Sequence, residues 1–178
     1  MFKDCFLAEV EDKKIASCDI IVKMRSREIT PLVAVDVAIF REREGREEIL
    51  LGKRKGETAA SGQWNLPGGH VKMGERLGEA AGREVREELG EIKVDLSDKV
   101  IGVVQNNLPP DYLPHVVIVL EAKHLRGEPS LMEPDKCEEW SWFLTNQLPQ
   151  NTFAEVKQIL ANRSSNRVRI GTNWEKRN

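Results

Sequence analysis

Residues 69–91, GHVKMGERLGEAAGREVREELGE, decide how this chain is read. They place Glu84, Glu87, Glu88 and Glu91 close together in a chain whose formal net charge is only -2. From about 75 to 89 the segment is built of good helix formers, and Gly90 is a natural stop. A helix turns about 100° per residue, so Glu87, Glu88 and Glu91 all project within about 60° of Glu84. Ala81, Val85 and Leu89 form the adjoining apolar stripe, with Gly78 and Gly82 beside it. These two glycines are expected to let the helix lie close against a strand while the carboxylate face stays open. Like charges at i,i+3 and i,i+4 cost a helix a few tenths of a kcal/mol per pair. The face is either a solvated one, neutralised by Arg83 and Arg86, or one that binds hard cations. Converging carboxylate oxygens suit Mg²⁺, Mn²⁺ or Ca²⁺, and no His/Cys cluster competes as a zinc site. Mg²⁺ typically shares its shell with substrate phosphates, so the cation reading points to phosphate chemistry.

Outward from this helix, WNLPGGH (64–70) turns tightly through Pro67 and two glycines. LVAVDVAIF (32–40) is rich in β-branched residues and reads as a buried strand. REREGREE (41–48) is a charged turn around Gly45, and ILLGKRKG (49–56) starts as a strand and ends basic. ETAASGQ (57–63) is a loop. KVIGVVQNN (99–107) and HVVIVLEAK (115–123) read as strands separated by the LPPDYLP loop. CEEWSWFLT (137–145) alternates as a half-buried strand does, and TFAEVKQILAN (152–162) has helical spacing. The pattern predicts a mixed sheet with helices on its faces. Residues 1–30 form an N-terminal extension in which CDIIVKM (18–24) is a candidate added strand. Residues 163–178, with Arg163, Arg167, Arg169, Lys176 and Arg177, read as a polar, basic, solvated tail.

The 178 residues, 40% apolar and 31% charged, fit one soluble domain with its own core. A net charge of -2 gives no global field for nucleic acid or a membrane. No stretch approaches a membrane span or a signal peptide. Cys5, Cys18 and Cys137 form no CxxC pair, which fits unpaired thiols in a reducing, cytoplasmic setting.

Gly69, Glu75, Arg83, Glu84, Glu87, Glu88 and Gly90 supply every fixed letter of G-x5-E-x7-R-E-U-x-E-E-x-G-U, where U is apolar. The stretch therefore resembles the Nudix box. At roughly 7% usage per residue, such a chance match has a probability on the order of 10⁻⁸ per start position. The final position departs: Glu91 stands where an apolar residue is wanted, and Ile92 is expected to do the packing. The resemblance implies an α/β fold, the Nudix α/β/α sandwich around a mixed β-sheet, over residues 31–162. It implies Gly68 (through its carbonyl), Glu84, Glu87 and Glu88 as ligands of Mg²⁺, with Mn²⁺ as an alternative. Arg83, Glu84 and Glu87 become the catalytic set, Glu84 as ligand or base and Arg83 as its orienting partner. Glu75 supports the metal shell.

LLGKRKG, WNLPGGH, HVVIVLEA and EPDKCEEWSWF are also similar to the MutT-type branch. That similarity implies Mg²⁺-dependent hydrolysis of nucleoside triphosphates, oxidised or non-standard ones among them, to monophosphate and pyrophosphate. The alternatives are another diphosphate, such as a nucleotide sugar or an isoprenoid diphosphate, and a non-catalytic nucleotide-binding module. Retention of every box glutamate counts against the last. The implied partner is a small nucleotide, with no membrane or nucleic acid, and a homodimer is left open.

Outside the box, Arg54, Asn65 and His70 are the candidate substrate-binding residues. Arg54 would hold a phosphate or a base carbonyl, Asn65 a base edge, and His70, like His115, a phosphate. Surface, turn and structural roles are the alternatives. Trp64, Trp140 and Trp142 are candidates for base stacking or for the core. Glu133, Glu138 and Glu139 are candidates for an extra ligand or base, and Lys53 and Lys55 for solvated charges.

Overall fold

Strand β1 (Leu32–Arg43) carries apolar side chains on both faces. Val35, Val37 and Ile39 point one way, Ala38 and Phe40 the other, and all are buried. A strand covered on both sides shows no polar alternation, and β1 accordingly sits inside the sheet. The computed structural model describes residues 31–56, 60–107, 114–163 and 170–172. The CDIIVKM segment lies outside the described residues.

After β1 come β2 (Arg46–Arg54), β3 (Trp64–Asn65), β4 (Gly68–His70), α1 (Leu77–Leu89), β5 (Lys93–Asn107), β6 (Pro114–Arg126), β7 (Cys137–Leu144), α2 (Ala154–Arg163) and β8 (Ile170–Thr172). The strands form one sheet in the order β3-β2-β1-β6-β5-β8, with β4 on β1 and β7 on β2. The β1–β6 and β5–β8 pairs are parallel and the others antiparallel, so the sheet is mixed. α1 packs Ala80, Ala81, Val85 and Leu89 against Val35, Val37, Ile39 and Leu50 on one face. α2 packs Val156 and Ile159 against Phe40, Ile101, Val104 and Val119 on the other. The result is the expected α/β/α sandwich. Among the described residues, no helix is long and apolar enough to cross a membrane.

The edge of β1 is divided. The β1–β2 hairpin turns on Glu44 and Gly45, both at positive φ (54° and 71°), as a two-residue turn requires. Its register runs from Arg43↔Arg46 to Phe40↔Ile49. Further back, β4 takes over that edge, pairing Ala34 with His70, Val35 with Gly69 and Asp36 with Gly68. β2 pairs instead with β3 and β7. This handover lays the glycine turn along β1 beside Asp36.

Helix α1 begins as the Glu79 carboxylate accepts the Arg76 N–H at 2.9 Å, and it ends at Gly90, φ 72°. Two sequence expectations change here. Glu91 does not join the other glutamates: it lies beyond the helix, almost fully exposed, beside Lys93. Ile92 is buried and does the packing. Gly78 and Gly82 are not where the helix meets the sheet most closely. A Cβ at Gly78 would meet nothing within 4 Å, and one at Gly82 only atoms at 3.5 Å. The close approach is at Gly69, opposite the helix, where a Cβ would stand 2.6 Å from the Glu84 carboxyl.

The described residues of the segment read as a solvated tail, 163 and 170–172, also differ. Arg163 closes α2 by pairing with Glu47 at 2.6 Å and Glu121 at 3.0 Å, its guanidinium 3.7 Å over the Phe40 ring. Residues 170–172 pair with β5 as β8.

Candidate active site

Helix α1 faces β4 across a narrow gap, and Arg83 fills it with donors. Its guanidinium grips Glu75 with two bonds, 2.6 Å and 2.9 Å. It also donates to Glu84 at 2.5 Å, to Glu87 at 3.1 Å and to the His70 carbonyl at 3.0 Å. Planar, forked geometry lets one arginine hold several oxygens at fixed angles, which lysine cannot do. Arg83 therefore orients Glu84, and Glu75 fixes Arg83. The bond from Arg83, with one from the Lys72 N–H at 2.8 Å, lowers the Glu75 carboxyl to about 2.

Glu88 lies deeper. Its carboxylate accepts the Gly68 N–H at 3.1 Å. Burial raises this carboxyl to about 8, against the Gly68 bond, and Glu84, Asp36 and Glu133 push the same way. Asp36 is raised to about 7, again first by burial; the Arg54 charge opposes this and Glu84 adds to it. Sequence reasoning missed Asp36. It is the one acid in the stretch LVAVDVAIF, a pattern that gains meaning only once β4 and α1 fold against it.

As the side chains stand, no three His, Cys, Asp or Glu groups among the described residues converge to chelate one ion. Arg83 draws Glu84 and Glu87 towards itself. The donor chemistry nonetheless fits a hard cation. Buried carboxylates that repel one another, with oxygens only, are what Mg²⁺ or Mn²⁺ offsets and what zinc does not select. Glu84, Glu87, Glu88 and the Gly68 carbonyl could hold such an ion.

These groups line one limb of a cavity of about 950 Å³. Val104, Val117, Phe153, Val156 and Ile159 line an apolar limb between the sheet and α2. That limb was not legible as a site, since its residues read as ordinary core positions. Arg54, Asn65 and His70 all line the cavity. Arg54 follows a bulge between Lys53 and Arg54, a device that re-aims a side chain at a strand end. Of the three later glutamates, Glu133 reaches the cavity, bonded to Lys136 at 2.8 Å, whereas Glu138 pairs with Lys53 at 2.6 Å. Lys53 is thus paired, and Lys55 donates to the Pro134 carbonyl at 3.1 Å. Trp64 packs edge-on against Phe143 in the core, and Trp142 lies under Arg41. Trp140 alone of these three lines the cavity, its ring laid on Gly52.

The model of the NUDIX domain matches residues 30–162. The chain belongs to the Nudix family. It is 38% identical over 132 residues to an ADP-ribose pyrophosphatase from Methanocaldococcus jannaschii, covering 72% of this chain and 71% of that one. A 37-residue stretch is 65% identical to the nucleoside triphosphatase NudI of Salmonella schwarzengrund, 21% of this chain and 26% of that protein. The structure of a MutT Nudix hydrolase from Burkholderia pseudomallei superposes with a TM-score of 0.62 at 35% identity, over 74% of this chain and 97% of the other. The protein is a Nudix hydrolase of nucleoside diphosphate derivatives.

Proposed function

We propose that this Nudix enzyme hydrolyses nucleoside triphosphates, oxidised or non-standard ones among them, to the monophosphate and pyrophosphate with Mg²⁺. The observation that carries the reading is Glu88, buried against the Gly68 N–H among carboxylates, at the head of a cavity whose other limb is apolar. Gly68, Glu84, Glu87 and Glu88 would hold the ion, with Mn²⁺ as the alternative. Bound there, such an ion would supply neutralisation of phosphate oxygens and a lowered pKa for the attacking water. Arg83 keeps Glu84 oriented against Gly69, where it would serve as a further ligand or accept the proton of the attacking water. Arg54 adds a fixed positive charge for the phosphates. The apolar limb takes the base and excludes water, and Asn65 offers its amide to the base edge.

A second reading is cleavage of ADP-ribose, favoured by the 38% identity with an ADP-ribose pyrophosphatase over most of both chains. The two differ in the leaving group. Product analysis with Mg²⁺ across ordinary and oxidised triphosphates, ADP-ribose and a prenyl diphosphate separates them, with Glu87→Gln as control. Monophosphate plus pyrophosphate, absent in the control, is the expected result. AMP plus ribose phosphate as the main activity selects the second reading. Nucleotide binding without turnover of any substrate overturns both.

A further inference from the structure

His70 and His115 come from strands on opposite edges of β1. His70 on β4 stands opposite Ala34, and His115 on β6 opposite Leu32. The small side chain of Ala34 leaves room over β1, and the two rings meet with centroids 5.4 Å apart, tilted by 31°. Both line the cavity, as does Lys72, whose ammonium lies 3.7 Å from Glu87. On β6 the lining alternates Val119, Val117, His115, from the apolar limb outward. Two residues of strand span about 6.6 Å, so the imidazoles sit roughly 13 Å along β6 from Val119. The cavity thus has an apolar end for a base, carboxylates for a cation, and a wall of nitrogen donors at its rim.

We infer that His70 and His115 form an anion subsite for the end of the substrate remote from the base. In a nucleoside triphosphate that end is the terminal phosphate of the departing pyrophosphate. The inference rests on the triphosphate reading above. Imidazole N–H groups from two strands donate to non-bridging phosphate oxygens there, with Lys72 adding charge, while the carboxylate face of α1 handles the cation on the other side.

The chain has three histidines, and the third is a built-in reference. His124 donates its Nε2–H to the Gly127 carbonyl and lies against Trp142. It is nine residues along β6 from His115, roughly 30 Å away. Inorganic pyrophosphate with Mg²⁺, titrated into the wild-type protein, should shift the ring resonances of His70 and His115 and leave His124 in place. His70→Asn and His115→Asn should each raise the KM for a triphosphate and the inhibition constant of pyrophosphate about tenfold, the value of one hydrogen bond to a charged group. His124→Asn should change neither. Unmoved His70 and His115 resonances, or shifts caused by the nucleoside monophosphate alone, would overturn the subsite. If no triphosphate is turned over and pyrophosphate still shifts both rings, the substrate reading fails and the subsite stands.

Discussion

Gly69 has no side chain, and the site depends on that. A methyl group there would stand 2.6 Å from the Glu84 carboxyl, inside van der Waals contact. Glu84 is buried and tied to Arg83, so it has little room to yield. Gly69→Ala should displace that carboxylate by a few tenths of an ångström or more and lower kcat by up to about a hundredfold, as small misplacements near the chemistry do. Its circular dichroism should match the wild type; a fully active variant would show that Glu84 needs no such contact. At this scale the box residues were legible because their meaning lies in local spacing. Arg83, Glu84, Glu87 and Glu88 share one helix, and one turn angle relates them. Asp36 was not, because an acid in a strand means little until β4 and α1 are folded against it.

Elements were legible from periodicity, and their ends and partners less so. The five long strands and both helices follow from β-branched runs, alternation and helical spacing, whereas β3, β4 and β8 were read as turn or tail. Glu91 was misplaced because a helical wheel carries on where Gly90 stops the chain. Gly78 and Gly82 were misread because glycine spacing does not reveal what lies opposite. The division of β1's edge between β2 and β4 could not be read either, since both partners offer only short pairing runs. Gly90 itself carries a prediction. Its φ is 72°, and the neighbouring loop caps the helix, with the Ser130 N–H donating to the Leu89 carbonyl at 2.9 Å. A Cβ there would also meet Met132 and Ser130 at 3.3 Å. Gly90→Ala should cost about 1–3 kcal/mol by denaturant unfolding. No change in midpoint would mean that the turn relaxes freely.

The folded molecule as a whole carries two acids above their ordinary range. Asp36 rises from 3.8 to about 7 and Glu88 from 4.5 to about 8. The folded state thus holds protons that the unfolded chain releases, so stability without metal falls as pH rises from about 4 to 8 and then levels. In EDTA the melting temperature should fall across that window, less steeply in Glu88→Gln. Mg²⁺ should raise the wild-type value near pH 8 and do little for Glu88→Gln. Equal Mg²⁺ responses in the two proteins would sink the metal assignment. Arg163 has a consequence of another kind. Its partner Glu47 lies 116 residues earlier in the chain, and its other partner, Glu121, lies 42 residues earlier. Local helices form in microseconds, whereas contacts so distant must wait for large loops to close. During synthesis, the helix that carries the glutamates leaves the ribosome well before Arg163 does. The clamp that ties α2 to the sheet therefore closes only after its last residue has emerged, later than either strand it joins.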